Sequence, residues 1–310
     1  MHHHHPSTAH GIHTRFAWSI ALNTILTIVQ IFYAYQAHAV SLLSDALHNL
    51  GDVLGLLMAW GAQVLLNWRS SERYSYGYKK STILAALGNA LLLLLSVGVI
   101  VYEAGIKLIY TQEMDEIPVM LIALVGILVN GGTALLFRKE KANDINIKAA
   151  FLHLSLDALT SFGVVLAAVL IYYTGYQWID AIIALGVAGI MLLSSWNLLR
   201  RAIDMSLSAV PQGINLKAVR TYLMQIPGVT ALHDLHIWGL STQETALTAH
   251  LIMPHSFLVD TDYQRINQAL NQEFGIQHVT LQVEKGKAQV PCVQALSCQA
   301  TIFPSQDPML

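Results

Sequence analysis

The chemistry available to this sequence is concentrated in two pairs of residues with the same spacing, His48 with Asp52 and His153 with Asp157. Residues four apart share one face of a helix, so each pair presents an imidazole beside a carboxylate. Asp45 lies three residues before His48 on that same face. Both pairs fall in long apolar runs that contain no Lys or Arg, and desolvating an unpaired carboxylate costs roughly several kcal/mol or more. A cation is the simplest partner. Two imidazole nitrogens and two carboxylate oxygens suit a tetrahedral, borderline-soft divalent ion such as zinc. Magnesium prefers an oxygen octahedron and calcium six or more oxygens. Asp45, one turn away, has three readings: it orients His48 from outside the ligand set, stages the ion, or faces the headgroup region.

These pairs need elements that hold them inside a bilayer. Of the 310 residues, 54% are hydrophobic and 12% charged, which excludes a purely soluble chain. The net charge of -2 leaves no cationic excess for nucleic acid, and two cysteines exclude a disulfide-built module. Apolar runs lie at Phe16 to Ala37, Val40 to Asn67, Ser81 to Ile106, Ile117 to Phe137, Ala149 to Gly175 and Ala181 to Leu199. Each is long enough, at about 1.5 Å per residue, to cross roughly 30 Å of hydrocarbon. Six transmembrane helices are expected. The first run is too long, and lacks the small-residue cleavage pattern, for a signal peptide. Arg69, Arg73, Lys79 and Lys80 join spans two and three; Arg138, Lys139, Lys141 and Lys148 join four and five; Arg15 precedes span one, and Arg200 and Arg201 follow span six. The opposite connections carry only Lys107, near the start of the third. The positive-inside bias therefore places both termini in the cytoplasm.

After Arg201 the pattern changes. Ile214 to Gln225 reads as a helix, Val229 to Trp238 and Thr245 to Met253 as strands, Tyr263 to Phe274 as a helix and His278 to Val283 as a strand. This order predicts a small α+β domain with helices on one side of a sheet. Its histidines, His233, His236, His250, His255 and His278, are dense enough to suggest a second metal site. In a regular strand His236, three residues from His233, points to the opposite face. Cys292 and Cys298 are spaced more widely than a close zinc-ligand pair; they either join a histidine at a cytoplasmic site or are free thiols. The N-terminal run His2 to His5 is either a metal-sequestering segment or an affinity tag.

The stretch Ser44-Asp45-Ala46-Leu47-His48-Asn49-Leu50-Gly51-Asp52, with His153-Leu154-Ser155-Leu156-Asp157-Ala158-Leu159-Thr160-Ser161, resembles the transport-site signature of the cation diffusion facilitator family, in its zinc-transporting branch. Arg73-Tyr74-Ser75-Tyr76-Gly77 and His233-Asp234-Leu235-His236-Ile237-Trp238 extend the likeness over nearly the whole chain. The resemblance implies a homodimeric, proton-coupled exporter of Zn2+, with Cd2+ as second substrate, in a bacterial inner membrane. It implies an α-helical membrane protein with six transmembrane helices followed by a cytoplasmic α+β ferredoxin-like domain. The family's four transport ligands fall on His48, Asp52, His153 and Asp157, and cytoplasmic ligands of relatives fall near His233, His250, Gln282 and Glu284. The accessory metal site some relatives carry after span two is not expected, because residues 68–80 contain no His. The expected divisions are 1–14, a His-rich terminus; 15–203, the membrane domain; 204–290, the ferredoxin-like domain; and 291–310, a Cys-containing tail. Protons and the bilayer are the expected partners. Two other functions stay open on the residues alone: a zinc-responsive sensor without net flux, and uptake. An enzyme is not expected, since the quartet fills all four zinc positions and no nucleophile motif accompanies it.

Overall fold

The computed structural model describes the backbone of residues 7–110, 112–137, 145–286 and 303–304, and the side chains of 21–110, 112–135 and 154–286. Six long helices come first: α1 (Ser7–Gln36), α2 (Val40–Leu66), α3 (Ser81–Ile109), α4 (Glu116–Phe137), α5 (Ile145–Thr174) and α6 (Trp178–Ser206). Among the described residues, five helices, α2 to α6, have the length and hydropathy to cross a membrane. Their apolar residues are not confined to one stripe. Leu91, Leu95, Leu121, Leu128 and Leu193 are more than half exposed, which suits lipid and not water.

Contacts divide the chain into two units, residues 1–60 with 86–199, and residues 61–85 with 200–310. Inside the first, α2 belongs to two apolar clusters. Leu42 and Leu43 of α2 pack with Ala34 of α1, Val119 and Ala123 of α4 and Val164, Ala168 and Ile171 of α5. Val40 packs with Leu93, Val97, Ile100 and Ala104 of α3 and Ala181, Ala184 and Ala188 of α6. The repeated alanines let helix backbones approach closely where van der Waals packing is the main source of association.

The N-terminal end of α2 is closed by a residue from another helix. Val40 N–H donates to Asp180 Oδ2 at 2.7 Å and Ser41 N–H to Asp180 Oδ1 at 3.0 Å, satisfying amides that a helix leaves unpaired at its start. The Ser41 hydroxyl donates to the same carboxylate. Lys107 Nζ completes the cluster, 2.8 Å from Asp180 Oδ2 and 2.5 Å from the His38 carbonyl. His38 itself takes the left-handed conformation, φ 51°, in the turn between α1 and α2, a place glycine usually holds. The sequence reading put Lys107 in a connecting loop. It lies instead in the last turn of α3, 3% exposed, against an Asp180 that is wholly buried.

In the second unit α7 (Leu216–Met224), β1 (Ala231–Gly239), β2 (Thr245–Ile252), α8 (Asp260–Phe274) and β3 (His278–Glu284) follow in order, and the short β4 (Phe303–Pro304) pairs with β1. The sheet order is β3-β2-β1-β4; β1 and β2 are antiparallel, and β2 and β3 parallel across the α8 crossover. Asn215 caps α7 by accepting from Lys217 N–H and Ala218 N–H. Val219 and Leu223 of α7 and Ile266 and Leu270 of α8 pack on Leu232, Ile237, Leu247 and Leu251 from one sheet face. The connection after α2 is part of this unit: Lys79 pairs with Glu244, and Thr242 N–H donates to Thr82 Oγ1 at 3.0 Å. Gly77, φ 67°, lies 3.3 Å from the Trp68 carbonyl at its Cβ position, so that turn needs a residue without a side chain.

The alternation rule misplaces His236. The β1–β2 register pairs His233 with His250 and His236 with Thr248, shifting by one residue between them. That β-bulge, with Asp234 at φ 53°, returns His236 to the sheet face of His233.

Candidate metal centre

In the membrane unit the residues that came from two distant runs meet. Helix α2 supplies His48 and Asp52 from one face, and α5 supplies Asp157. His48 Nε2 stands 3.4 Å from Asp157 Oδ1 and 3.7 Å from Asp52 Oδ2, and one ligand atom from each of the three lies within 4.8 Å of the others. Zinc ligands at about 2.0 Å and tetrahedral angles stand about 3.3 Å apart, so the two distances from His48 are close to the spacing a single ion needs. Asp157 is 3% exposed, while His48 and Asp52 keep 20% and 24%. The backbone of His153 lies in α5 one turn before Asp157; its side chain is outside the described residues.

Asp45 does not face a headgroup region. It is wholly buried and accepts hydrogen bonds from three side chains on two other helices: Gln30 Nε2 of α1 at 2.7 Å, Thr160 Oγ1 of α5 at 2.8 Å and Ser161 Oγ of α5 at 2.8 Å. Gln30 in turn accepts from Asn49 Nδ2 at 3.1 Å, which fixes the orientation of its amide. Several donors around a buried carboxylate offset the desolvation that would otherwise disfavour it. Gly126 of α4 makes room for this cluster, since a Cβ there would stand 2.9 Å from Ser161 Oγ and 3.3 Å from Gln30 Nε2. Gly126→Ala should therefore lower thermal stability in detergent by about 1–3 kcal/mol; an unchanged melting temperature would mean the cluster yields freely.

A second cluster lies on the sheet face away from α7 and α8. His233 and His250 sit opposite each other on β1 and β2, with ring centroids 4.9 Å apart. Glu284 at the end of β3 bridges them, Oε2 at 3.1 Å from His233 Nε2 and Oε1 at 2.9 Å from His250 Nδ1. These three also lie within 4.8 Å of one another. Gln282, one of the positions near which the resemblance puts cytoplasmic ligands, donates to Glu284 Oε1 at 2.9 Å. Asp234 lies 2.9 Å from His236 Nε2 and 3.5 Å from His250 Nε2. Cys292 and Cys298, and the N-terminal His2 to His5, lie outside the described residues.

The model of the cation efflux transmembrane domain matches residues 17–205, and that of the cation efflux protein cytoplasmic domain matches residues 211–286. The chain belongs to the cation efflux family. It is similar to the metal cation efflux system protein CzcD of Cupriavidus metallidurans, 30% identical over 282 residues, covering 91% of this chain and 88% of that protein. It is also similar to the zinc transporter ZitB of Yersinia pestis, 33% identical over 273 residues and 87% of each chain. A cadmium, cobalt and zinc/H(+)-K(+) antiporter of Bacillus subtilis is 29% identical over 271 residues, covering 86% of this chain and 87% of that one. This cation efflux protein is thus a multi-pass membrane protein with a dimerisation domain, and its relatives are transporters, not enzymes.

Sequence reasoning named Asp45 without its partners and passed over Asp180 entirely. Gln30, Thr160 and Ser161 are polar residues in otherwise apolar helices, which was a usable signal. Asp180 stood at the edge of a span, where a carboxylate is unremarkable until a lysine from another helix is placed against it.

Proposed function

We propose that this protein exports Zn2+, and secondarily Cd2+, from the cytoplasm in exchange for protons, by alternating access around His48, Asp52, His153 and Asp157. The observation that carries this reading is the close approach of Asp157 to His48 from a separate helix, with Asp52 on the same side. Three ligand atoms within 4.8 Å of one another leave one position of a tetrahedral set, and His153, four residues before Asp157, is the residue with the right chemistry to fill it. The names of the relatives, zinc transporter and zinc/H(+)-K(+) antiporter, support the same cargo and exchange.

The mechanism is competition for ligands. Zinc requires neutral imidazole and ionised carboxylate, so its entry from the cytoplasm releases protons held by those groups. Protons from the opposite side displace the ion, and histidine, with a reference pKa of about 6.5, changes state in the physiological range. The reprotonated site then returns inward, so the proton gradient drives export. This reading includes six spans with α1 as the first, a ferredoxin-like cytoplasmic domain, the divisions 15–203 and 204–290, both termini in the cytoplasm of a bacterial inner membrane, and a homodimer. Zinc counterflow in oriented vesicles with an imposed pH gradient tests it. Net zinc movement against its gradient with stoichiometric proton counterflow is expected; saturable binding without flux would replace the transporter with a sensor.

His233, His250 and Glu284 fit a resident regulatory zinc, two imidazoles and a carboxylate on rigid strands. Zinc there would tie β1, β2 and β3 together. Glu284→Ala should weaken zinc binding by the full-length H48A/D157A protein, in which only cytoplasmic binding is counted, by roughly 10–100-fold in calorimetry.

A further inference from the structure

Asp45 belongs to neither ligand set, yet it is wholly buried and accepts three side-chain hydrogen bonds. All of its side-chain donors come from other helices: one from α1 and two, adjacent in sequence, from α5. One of these reaches the candidate site directly. Thr160 Oγ1 lies 2.8 Å from Asp45 Oδ1 and also 2.8 Å from the backbone carbonyl of Asp157. Along α2, Asp45 is one turn from His48 and two turns from Asp52. A single carboxylate therefore ties the helix bearing two ligands to α5 within one turn of the third. The surroundings leave little play, since Gln30, Asp45 and Ser161 are wholly buried and Gly126 has been reduced to a hydrogen to admit them.

We propose that Asp45 is the positioning residue of the transport site: by fixing α2 against Gln30 of α1 and against Thr160 and Ser161 of α5, it sets the distance from His48 and Asp52 to Asp157 and thereby the size of ion the site takes. The proposal rests on the transport-site reading above. Zinc at about 2.0 Å from nitrogen and oxygen needs its ligands about 3.3 Å apart, and the observed 3.4 Å between His48 and Asp157 is close to that spacing. A larger soft divalent ion needs a wider set. Loosening the tie between α2 and α5 should weaken the hold on zinc more than the hold on cadmium, because only the smaller ion depends on close approach. Outer partners of this kind typically contribute 10–100-fold in metal affinity.

The test is Zn2+ and Cd2+ transport by the full-length protein in proteoliposomes under a fixed pH gradient. Asp45→Asn keeps the size but removes the charge and one acceptor oxygen, and since Thr160 donates to one carboxylate oxygen and Ser161 and Gln30 to the other, the amide cannot serve both sides. It should raise KM for Zn2+ about tenfold and KM for Cd2+ much less, shifting the Zn2+ to Cd2+ ratio of kcat/KM by at least about fivefold. Ser161→Ala removes one donor from the opposite side, and should move the ratio in the same direction by a smaller factor even if the Asp45 variant fails to fold. Wild-type KM and ratio in both variants would overturn the proposal. So would an equal loss for both ions that tracks the quantity of folded protein, the result expected of a purely structural residue. His48→Ala separates the two levels. Retained flux in His48→Ala sinks the transport-site reading itself, whereas lost flux there, with an unchanged ratio in the Asp45 and Ser161 variants, sinks only the role of Asp45.

Discussion

Asp157→Ala should lower zinc-dependent proton flux in proteoliposomes by roughly 100-fold or more while the protein still melts cooperatively. The size follows from the ligand count. Structural zinc sites of four ligands bind with about 10–16 kcal/mol, so one ligand is worth about 3 kcal/mol, or roughly two decades. The geometry makes Asp157 a sensitive position, since among the described residues it brings α5 within 3.4 Å of His48 and is itself 3% exposed. Asp52→Ala should also abolish coupled flux, with the smaller loss in binding, because Asp52 is 24% exposed and 3.7 Å from His48. Radioactive zinc uptake and a pH-sensitive dye report the two fluxes together. Unaltered flux in Asp157→Ala would remove this residue, and the quartet with it, from the transport path.

The second large effect concerns stability. Lys107→Met leaves Asp180 still accepting from Val40 N–H, Ser41 N–H and the Ser41 hydroxyl, so the remaining carboxylate is desolvated but bonded. Asp180→Leu leaves the charge of a lysine that is 3% exposed without its carboxylate, bonded only to the His38 carbonyl among its described partners, and leaves two amides at the start of α2 without their acceptor. Breaking a buried pair from one side costs about 3–5 kcal/mol, and each unsatisfied amide adds about 1–3 kcal/mol. Asp180→Leu should therefore destabilise the protein by at least about 2 kcal/mol more than Lys107→Met. Chemical denaturation in detergent, run as a double-mutant cycle with the pair of substitutions, measures both the difference and the coupling. Equal losses would show that the α2 amides find other acceptors.

Much of this architecture was legible in the residues. Long apolar runs mark the helices because a bilayer offers no partner for an exposed backbone amide, so each run must close its hydrogen bonds within itself. The strands β1, β2 and β3 and the helices α7 and α8 were each expected within a few residues of where they lie, because alternation and helical period follow directly from side-chain geometry. The His-x-x-x-Asp spacing named His48, Asp52 and Asp157, since four residues make one helical turn.

What spacing along one chain cannot express is which face meets which. That Asp45 turns toward Gln30, Thr160 and Ser161, that Lys107 is buried against Asp180 instead of lying in a loop, and that His236 shares a face with His233 were all decided by packing. Asp45 and Lys107 each took a complementary partner supplied by a distant segment, because leaving a polar group unpaired in a low-dielectric interior costs more than recruiting another helix, whereas His236 changed face because the β-bulge at Asp234 shifts the strand register. Local periodicity thus determined which side chains travel together along an element, and only the tertiary structure decided what they meet.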